Sequence, residues 1–162
     1  MTLAASGGRS SRCVESMAPS TGVVLVVEDD QNDRLLLSHT FRKSAPHIHL
    51  HLSKDSFDAE DYLVGNGPYG DRAEHALPQL ILLDLKLPRR SGLDFLAWIK
   101  RQPLLAGIPV IVLSSSQEVS DLDRAYELGA KSYLVKSVEL KELVKVAEGI
   151  AAYAALLGPK ST

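Results

Sequence analysis

The chain has 162 residues, 45% of them apolar, and a formal net charge of −2. That length and composition suit one domain with its own hydrophobic core. The charge gives no basic field for nucleic acid, and no apolar run approaches the roughly 18 residues of a membrane span.

Residues 1–20 (MTLAASGGRSSRCVESMAPS) are small, polar and aperiodic. They lack the continuous apolar stretch of a signal peptide, so a disordered tail is expected, with Met17 as a second candidate start. The single cysteine, Cys13, can form no internal disulfide, and a lone thiol fits a reducing cytoplasm. The folded domain is expected over residues 21–158, with a short tail at 159–162.

Five apolar runs follow in order: Val23–Val27, His47–Leu52, Leu80–Leu83, Val110–Leu113 and Tyr133–Val135. The second alternates with period two and reads as an edge strand with one wetter face. The others read as buried strands of a parallel sheet. Helical patterns lie between them. The first opens at a cap-like Asp30–Asp33 and carries Leu36, Leu37, Thr40 and Phe41. The second, Asp55–Val64, carries Phe57, Tyr62 and Leu63 and stops at Gly65-Asn66-Gly67-Pro68. Leu93, Leu96, Ala97 and Ile99 mark a third; Val119, Leu122, Ala125 and Leu128, closed by Gly129, a fourth. A last helix is expected from about Val138 to about Leu157. Strand and helix alternating five times predict a doubly wound, three-layer α/β fold. The loop from Asn66 to Pro78 reads as a surface excursion.

In such sheets, sites form beyond the carboxyl ends of the strands. There stand Glu28, Asp29 and Asp30 after the first strand, Asp84 after the third, Ser114, Ser115 and Ser116 after the fourth, and Lys136 after the fifth. Converging carboxylates repel one another and favour a hard divalent cation such as Mg²⁺. A carboxylate beside that ion can attack phosphorus, while a lysine and a hydroxyl hold the phosphoryl oxygens. Asp30 serves more simply as a helix cap.

The segment LILLDLKLPRRSGLDFL resembles the signature of two-component response regulator receiver domains: a buried strand ending in Asp, then Leu-Pro and a nearby Gly. VVLVVEDD, VIVLSSS and GAKSYLVKS match the same family in order and spacing, so the resemblance covers about Val23 to Leu157. It implies a flavodoxin-like fold with strand order 2-1-3-4-5. It implies Asp84 as phosphoacceptor, Mg²⁺ as cofactor and Asp29 as a direct metal ligand. Glu28 would act through water, and the main-chain carbonyl of Lys86 would be a further ligand. It implies Ser114 as the switch hydroxyl, Lys136 as partner of the phosphoryl group, and Tyr133 as the aromatic whose rotamer reports activation. For Tyr133 a plain core role weighs about equally. Lys86 and Ser116 occupy positions that tune phosphoryl lifetime in the family. The implied partner is a sensor histidine kinase, and the implied role is signalling through a protein surface rather than turnover of substrates, with carriage in a phosphorelay as the alternative. LDLKLPRRSG, the long loop before it and LVKS with an extended last helix resemble, more narrowly, regulators paired with bacterial phytochromes.

Other readings weigh against this one at particular residues. A haloacid dehalogenase-type phosphatase needs Asp-x-Asp-x-Thr at its first strand, and VEDDQND lacks it. A flavodoxin-like cofactor binder needs a phosphate loop where this chain has acids. Ser137 stands where most receivers have proline, so a cis bond there would be costly. His47, His49 and His51 are expected as partly exposed strand residues rather than a metal site. Arg89 and Arg90 are expected as a solvated turn. In the last helix Leu140, Leu143, Val144 and Ala147 are expected to face the sheet. Val146, Ile150, Tyr153 and Leu157 would then need a second partner, which suggests a homodimer through the fourth helix, fifth strand and fifth helix.

Overall fold

Parallel strands need crossover helices, and the chain supplies one after every strand. In the computed structural model, which describes residues 22–136 and 140–157, the strands are β1 (Gly22–Val27), β2 (Ile48–Ser53), β3 (Leu80–Leu83), β4 (Val110–Ser114) and β5 (Ser132–Val135). All pairings are parallel and the order is 2-1-3-4-5, as expected. The helices are α1 (Gln31–Ser44), α2 (Ser56–Val64), α3 (Gly92–Arg101), α4 (Val119–Glu127) and α5 (Leu140–Leu157). The N-terminal stretch with Cys13 and Met17, the C-terminal residues 158–162 and the Lys136–Ser137 bond lie outside the described residues.

Alternate side chains divide the core between the two faces of the sheet. Leu80 and Leu82 pack with Leu37 and Phe41 of α1 and with Leu143, Ala147 and Ile150 of α5. Ile81 and Leu83 pack with Tyr62 of α2, with Phe95, Leu96 and Ile99 of α3, and with Ala125 of α4. Within α5, Ile150 is 3% exposed and belongs to the sheet-facing stripe, not to the second stripe expected for it. Val146 and Tyr153 are half-buried beside that stripe, while Leu156 and Leu157 are exposed. Among the described residues no helix is long and apolar enough to cross a membrane.

The capping is legible residue by residue. Asp30 accepts from the Asn32 and Asp33 N–H groups, Asp55 from that of Asp58, and Ser91 from that of Asp94. The loop from Asn66 to Pro78 runs over the surface, as expected, and is pinned there by hydrogen bonds. The Tyr62 hydroxyl donates to the Ala76 carbonyl at 2.6 Å, and that of Tyr69 to Asp58 at 2.9 Å. The Arg72 guanidinium donates to the carbonyls of Tyr62, Leu63 and His75, satisfying the carboxyl end of α2. The histidines also part company. His47 precedes β2 and His49 is exposed, but His51 stacks on Tyr62 with ring centroids 4.0 Å apart. Burial holds its pKa below the usual histidine value, against a smaller raising effect of Asp58.

Gly92 carries a packing constraint. Its N–H donates to the Leu85 carbonyl at 3.0 Å, folding the loop after β3 back on itself. A Cβ there would lie 2.2 Å from the Asp84 carbonyl oxygen and 2.6 Å from Leu85 Cα, both backbone atoms that cannot step aside. Gly92→Ala is therefore expected to lower the free energy of unfolding by about 1–3 kcal/mol, the usual cost of overpacking. Urea denaturation measures it; an unchanged midpoint would contradict the close approach.

Candidate functional site

The register of the sheet assembles the site. Val27 pairs with Leu83, so the residues after them, Glu28 and Asp84, leave β1 and β3 side by side at one height. The Asp84 N–H still donates to the Val27 carbonyl at 3.0 Å. Ser114 pairs with Val135, and Lys136 follows directly, its N–H donating to the Ser114 carbonyl at 2.8 Å. Four strand ends thus deliver acid, acid, hydroxyl and amine to one corner, where open α/β sheets form their sites.

Carboxylate oxygens of Glu28, Asp29 and Asp84 lie within 4.8 Å of one another. Glu28 and Asp84 are buried and Asp29 is exposed. The Lys136 ammonium reaches into this group, 3.1 Å from Asp84 and 2.5 Å from Glu28. It also lies 2.9 Å from Asp33, in the first turn of α1. Asp33 was missed from the sequence, where it reads as an ordinary first-turn acid. Its place in the first turn of the helix that directly follows the acidic residues after β1 was the available signal.

The charges explain the proton affinities. Burial pushes the Glu28 carboxyl up; the Lys136 ammonium and the Asp30 N–H oppose this, Asp84 adds to it, and the result is about 7. Burial would lower Lys136, but its bonds to Glu28 and Asp33 and the charge of Asp84 outweigh that, so its pKa is raised. Three carboxyl groups gather here around one ammonium. Its donors are hard oxygens, which suits a divalent cation. Among the described residues this is the one such acidic group, and the histidines of β2 form none.

The remaining expected residues flank it. The Lys86 N–H donates to Asp84 at 3.1 Å, while its ammonium turns outward to Asp121, 3.5 Å away. Ser114 is fully buried, and its hydroxyl oxygen accepts from the Ser116 N–H at 3.3 Å. Tyr133 is half-buried against the core and donates its hydroxyl to the Ser116 carbonyl at 2.9 Å.

Arg90 is not the solvated residue expected. Its guanidinium donates to the Ser56 carbonyl at 3.0 Å, pairs with Glu60 at 2.8 Å, and lies over the rings of Phe57, Phe95 and Trp98. Arg89, with φ of 65°, pairs with Asp55 at 2.6 Å, also lies over the Phe57 ring and is itself mostly exposed. Burial acts to raise Asp55, yet the Asp58 N–H and the Arg89 guanidinium hold its carboxyl below the usual range.

Glu28 gives a signed pH dependence. Its folded pKa of about 7 lies above the ordinary 4.5, so between those values the folded chain binds the extra proton. Its contribution to metal-free stability therefore falls as pH rises through that window. Urea denaturation in a chelator is expected to show a steeper decline for the wild type than for Glu28→Gln; equal slopes would contradict the assignment.

Known proteins share the fold. Residues 24–148 match the family model of the response regulator receiver domain. The response regulator Rcp1 of Synechocystis sp. is 38% identical over 131 residues, 81% of this chain and 87% of that protein. Its Mn²⁺-bound crystal structure superposes with a TM-score of 0.71, covering 82% of this chain and 93% of that one. The phosphorylated cyanobacterial phytochrome response regulator RcpA gives 0.73 at 35% identity, covering 82% and 92%. The regulator RPA3017, of red light signalling in R. palustris, gives 0.78 at 27% identity, covering 86% and 99%. With the corner of acids and lysine at the carboxyl edge of a 2-1-3-4-5 sheet, the chain belongs to the response regulator receiver domain family.

Proposed function

We propose that this protein accepts a phosphoryl group on Asp84 from a sensor histidine kinase in the cytoplasm, with Mg²⁺ as cofactor, and signals through a protein surface biased by that modification. The observation that carries the reading is the Lys136 ammonium 3.1 Å from Asp84, inside the acidic group of Glu28, Asp29 and Asp84. The relatives favour a phytochrome-type kinase as donor, since RcpA is a phytochrome response regulator and RPA3017 acts in red light signalling.

Asp29, Asp84 and the Lys86 carbonyl would hold Mg²⁺ directly, with Glu28 acting through water. When bound, the ion offsets the charge of the carboxylates and of the incoming phosphoryl oxygens. An Asp84 carboxylate oxygen attacks phosphorus in line, forming the acyl phosphate as the phosphorus–nitrogen bond of the phosphohistidine breaks. The electron pair leaves with the imidazole. Lys136 turns to the new phosphoryl oxygens, and the Ser114 hydroxyl closes on them. Those contacts exist only in the phosphorylated state, so they shift the population toward it. Tyr133, tied to the Ser116 carbonyl, would follow the same loop.

Incubation with acetyl phosphate and Mg²⁺ is expected to give a phosphoryl adduct in the wild type by intact-protein mass spectrometry. The adduct should be absent in Asp84→Asn and after chelation. An adduct that survives Asp84→Asn would overturn the assignment of the acceptor.

The output surface would be that of α4, β5 and α5, used in part by a second copy of the chain. Val119, Tyr126 and Val135 are exposed along α4 and β5, and a groove of about 610 Å³ beside β5 and α5 is lined by Ile111, Leu134, Val146 and Tyr153. Sedimentation at micromolar protein is expected to show a dimer. A monomer both with and without a phosphoryl mimic excludes that use of the face.

A further inference from the structure

Asp121 lies in the first turn of α4 and takes part in neither the acidic group nor the Lys136 contacts, yet it touches both loops that wall the acceptor. One of its carboxylate oxygens accepts the Ser116 hydroxyl at 2.6 Å. The same oxygen lies 3.5 Å from the Lys86 ammonium. Lys86 is two residues from Asp84 and bound to it through its N–H. Ser116 is two residues from Ser114 and bound to its hydroxyl in the same way. Ser116 also accepts at its hydroxyl from the Glu118 N–H and at its carbonyl from Tyr133. The Ser116 bond, with lesser help from Lys86, holds the Asp121 carboxyl below its ordinary pKa, so it is charged at neutrality. A single carboxylate oxygen thus joins the acceptor loop, the hydroxyl loop and α4.

We propose that Asp121 is a positioning residue that retains the Lys86 ammonium and the Ser116 hydroxyl on α4 in the resting state, so that a phosphoryl group on Asp84 must compete with it for both. The inference rests on Asp84 being the acceptor. A phosphoryl group carries more negative charge than a carboxylate and offers more acceptor oxygens. Lys86, half-exposed on a long flexible stem, is the group free to change partners. Its departure removes one of the two bonds by which Asp121 ties α4 to the site. Loss of the phosphoryl group proceeds by attack of water on phosphorus. The bond from phosphorus to the Asp84 oxygen breaks, the carboxylate is restored and inorganic phosphate leaves with the proton. An ammonium seated on the phosphoryl oxygens screens the approach of that water. Asp121 therefore shortens the phosphoryl lifetime by drawing Lys86 away.

The test is the decay of the acetyl-phosphate-generated adduct in a double-mutant cycle on the full chain. Asp121→Asn is expected to lengthen the lifetime about two- to fivefold, the scale of one partly exposed ion pair. In a Lys86→Met background, which keeps the main-chain groups of Lys86, the same substitution should change the lifetime far less. A merely structural loosening of α4 would act alike in both backgrounds. An unchanged or shortened lifetime, or equal effects in both backgrounds, overturns the proposal while leaving Asp84 as acceptor. A wild type that takes up no phosphoryl group overturns the underlying reading and this one together.

Discussion

Carboxylates gathered in a partly buried corner repel one another, and the Lys136 ammonium is the charge that offsets them there. It lies within 3.1 Å of Glu28, Asp33 and Asp84, which come from the ends of β1 and β3 and from α1. Burial raises the proton affinity of Glu28, and the charge of Asp84 adds to it. The shared ammonium also makes the site receptive. A divalent cation or a change in acceptor charge is felt at once by every group there, because they share one ammonium in a medium of reduced dielectric.

The walls around that corner are of two kinds. The loop after β3 is fixed from beneath: Gly92 closes it on Leu85, Arg90 lies among three aromatic rings, and Arg89 is drawn to the buried Asp55. The loop after β4 hangs instead on a short chain of hydrogen bonds through Ser114, Ser116, Asp121 and Tyr133. A rigid wall holds the acceptor in place, and a hydrogen-bonded one can exchange partners. A small change at one residue can become a larger displacement only where such an exchange is available.

The fold and the core of the site were legible because strand ends converge by topology. Apolar runs marked where each strand stops, and Glu28, Asp29, Asp84 and Lys136 stand just past those stops. What stayed hidden depends on contacts between distant segments. Arg-Arg-Ser-Gly reads locally as a polar turn, yet Arg90 is captured by Ser56, Phe57 and Glu60, some thirty residues earlier in the chain. Asp33 reads as helix chemistry until Lys136 arrives from the far end. His51 shares its period-two pattern with His47 and His49, but only His51 meets a tyrosine ring from α2. In α5 the periodicity located the apolar residues, and packing against α1 and the sheet decided that Ile150 belongs inside.

The stack beneath Arg90 has one more consequence. Trp98 is the only tryptophan in the chain; it lies parallel to Phe95, with centroids 5.8 Å apart, and under the Arg90 guanidinium. Its fluorescence therefore comes from a single address, the underside of the loop that leads from the acceptor to α3. An indole against a cation emits according to how near that cation sits, so the protein carries an intrinsic optical probe of its own acceptor loop and needs no attached dye.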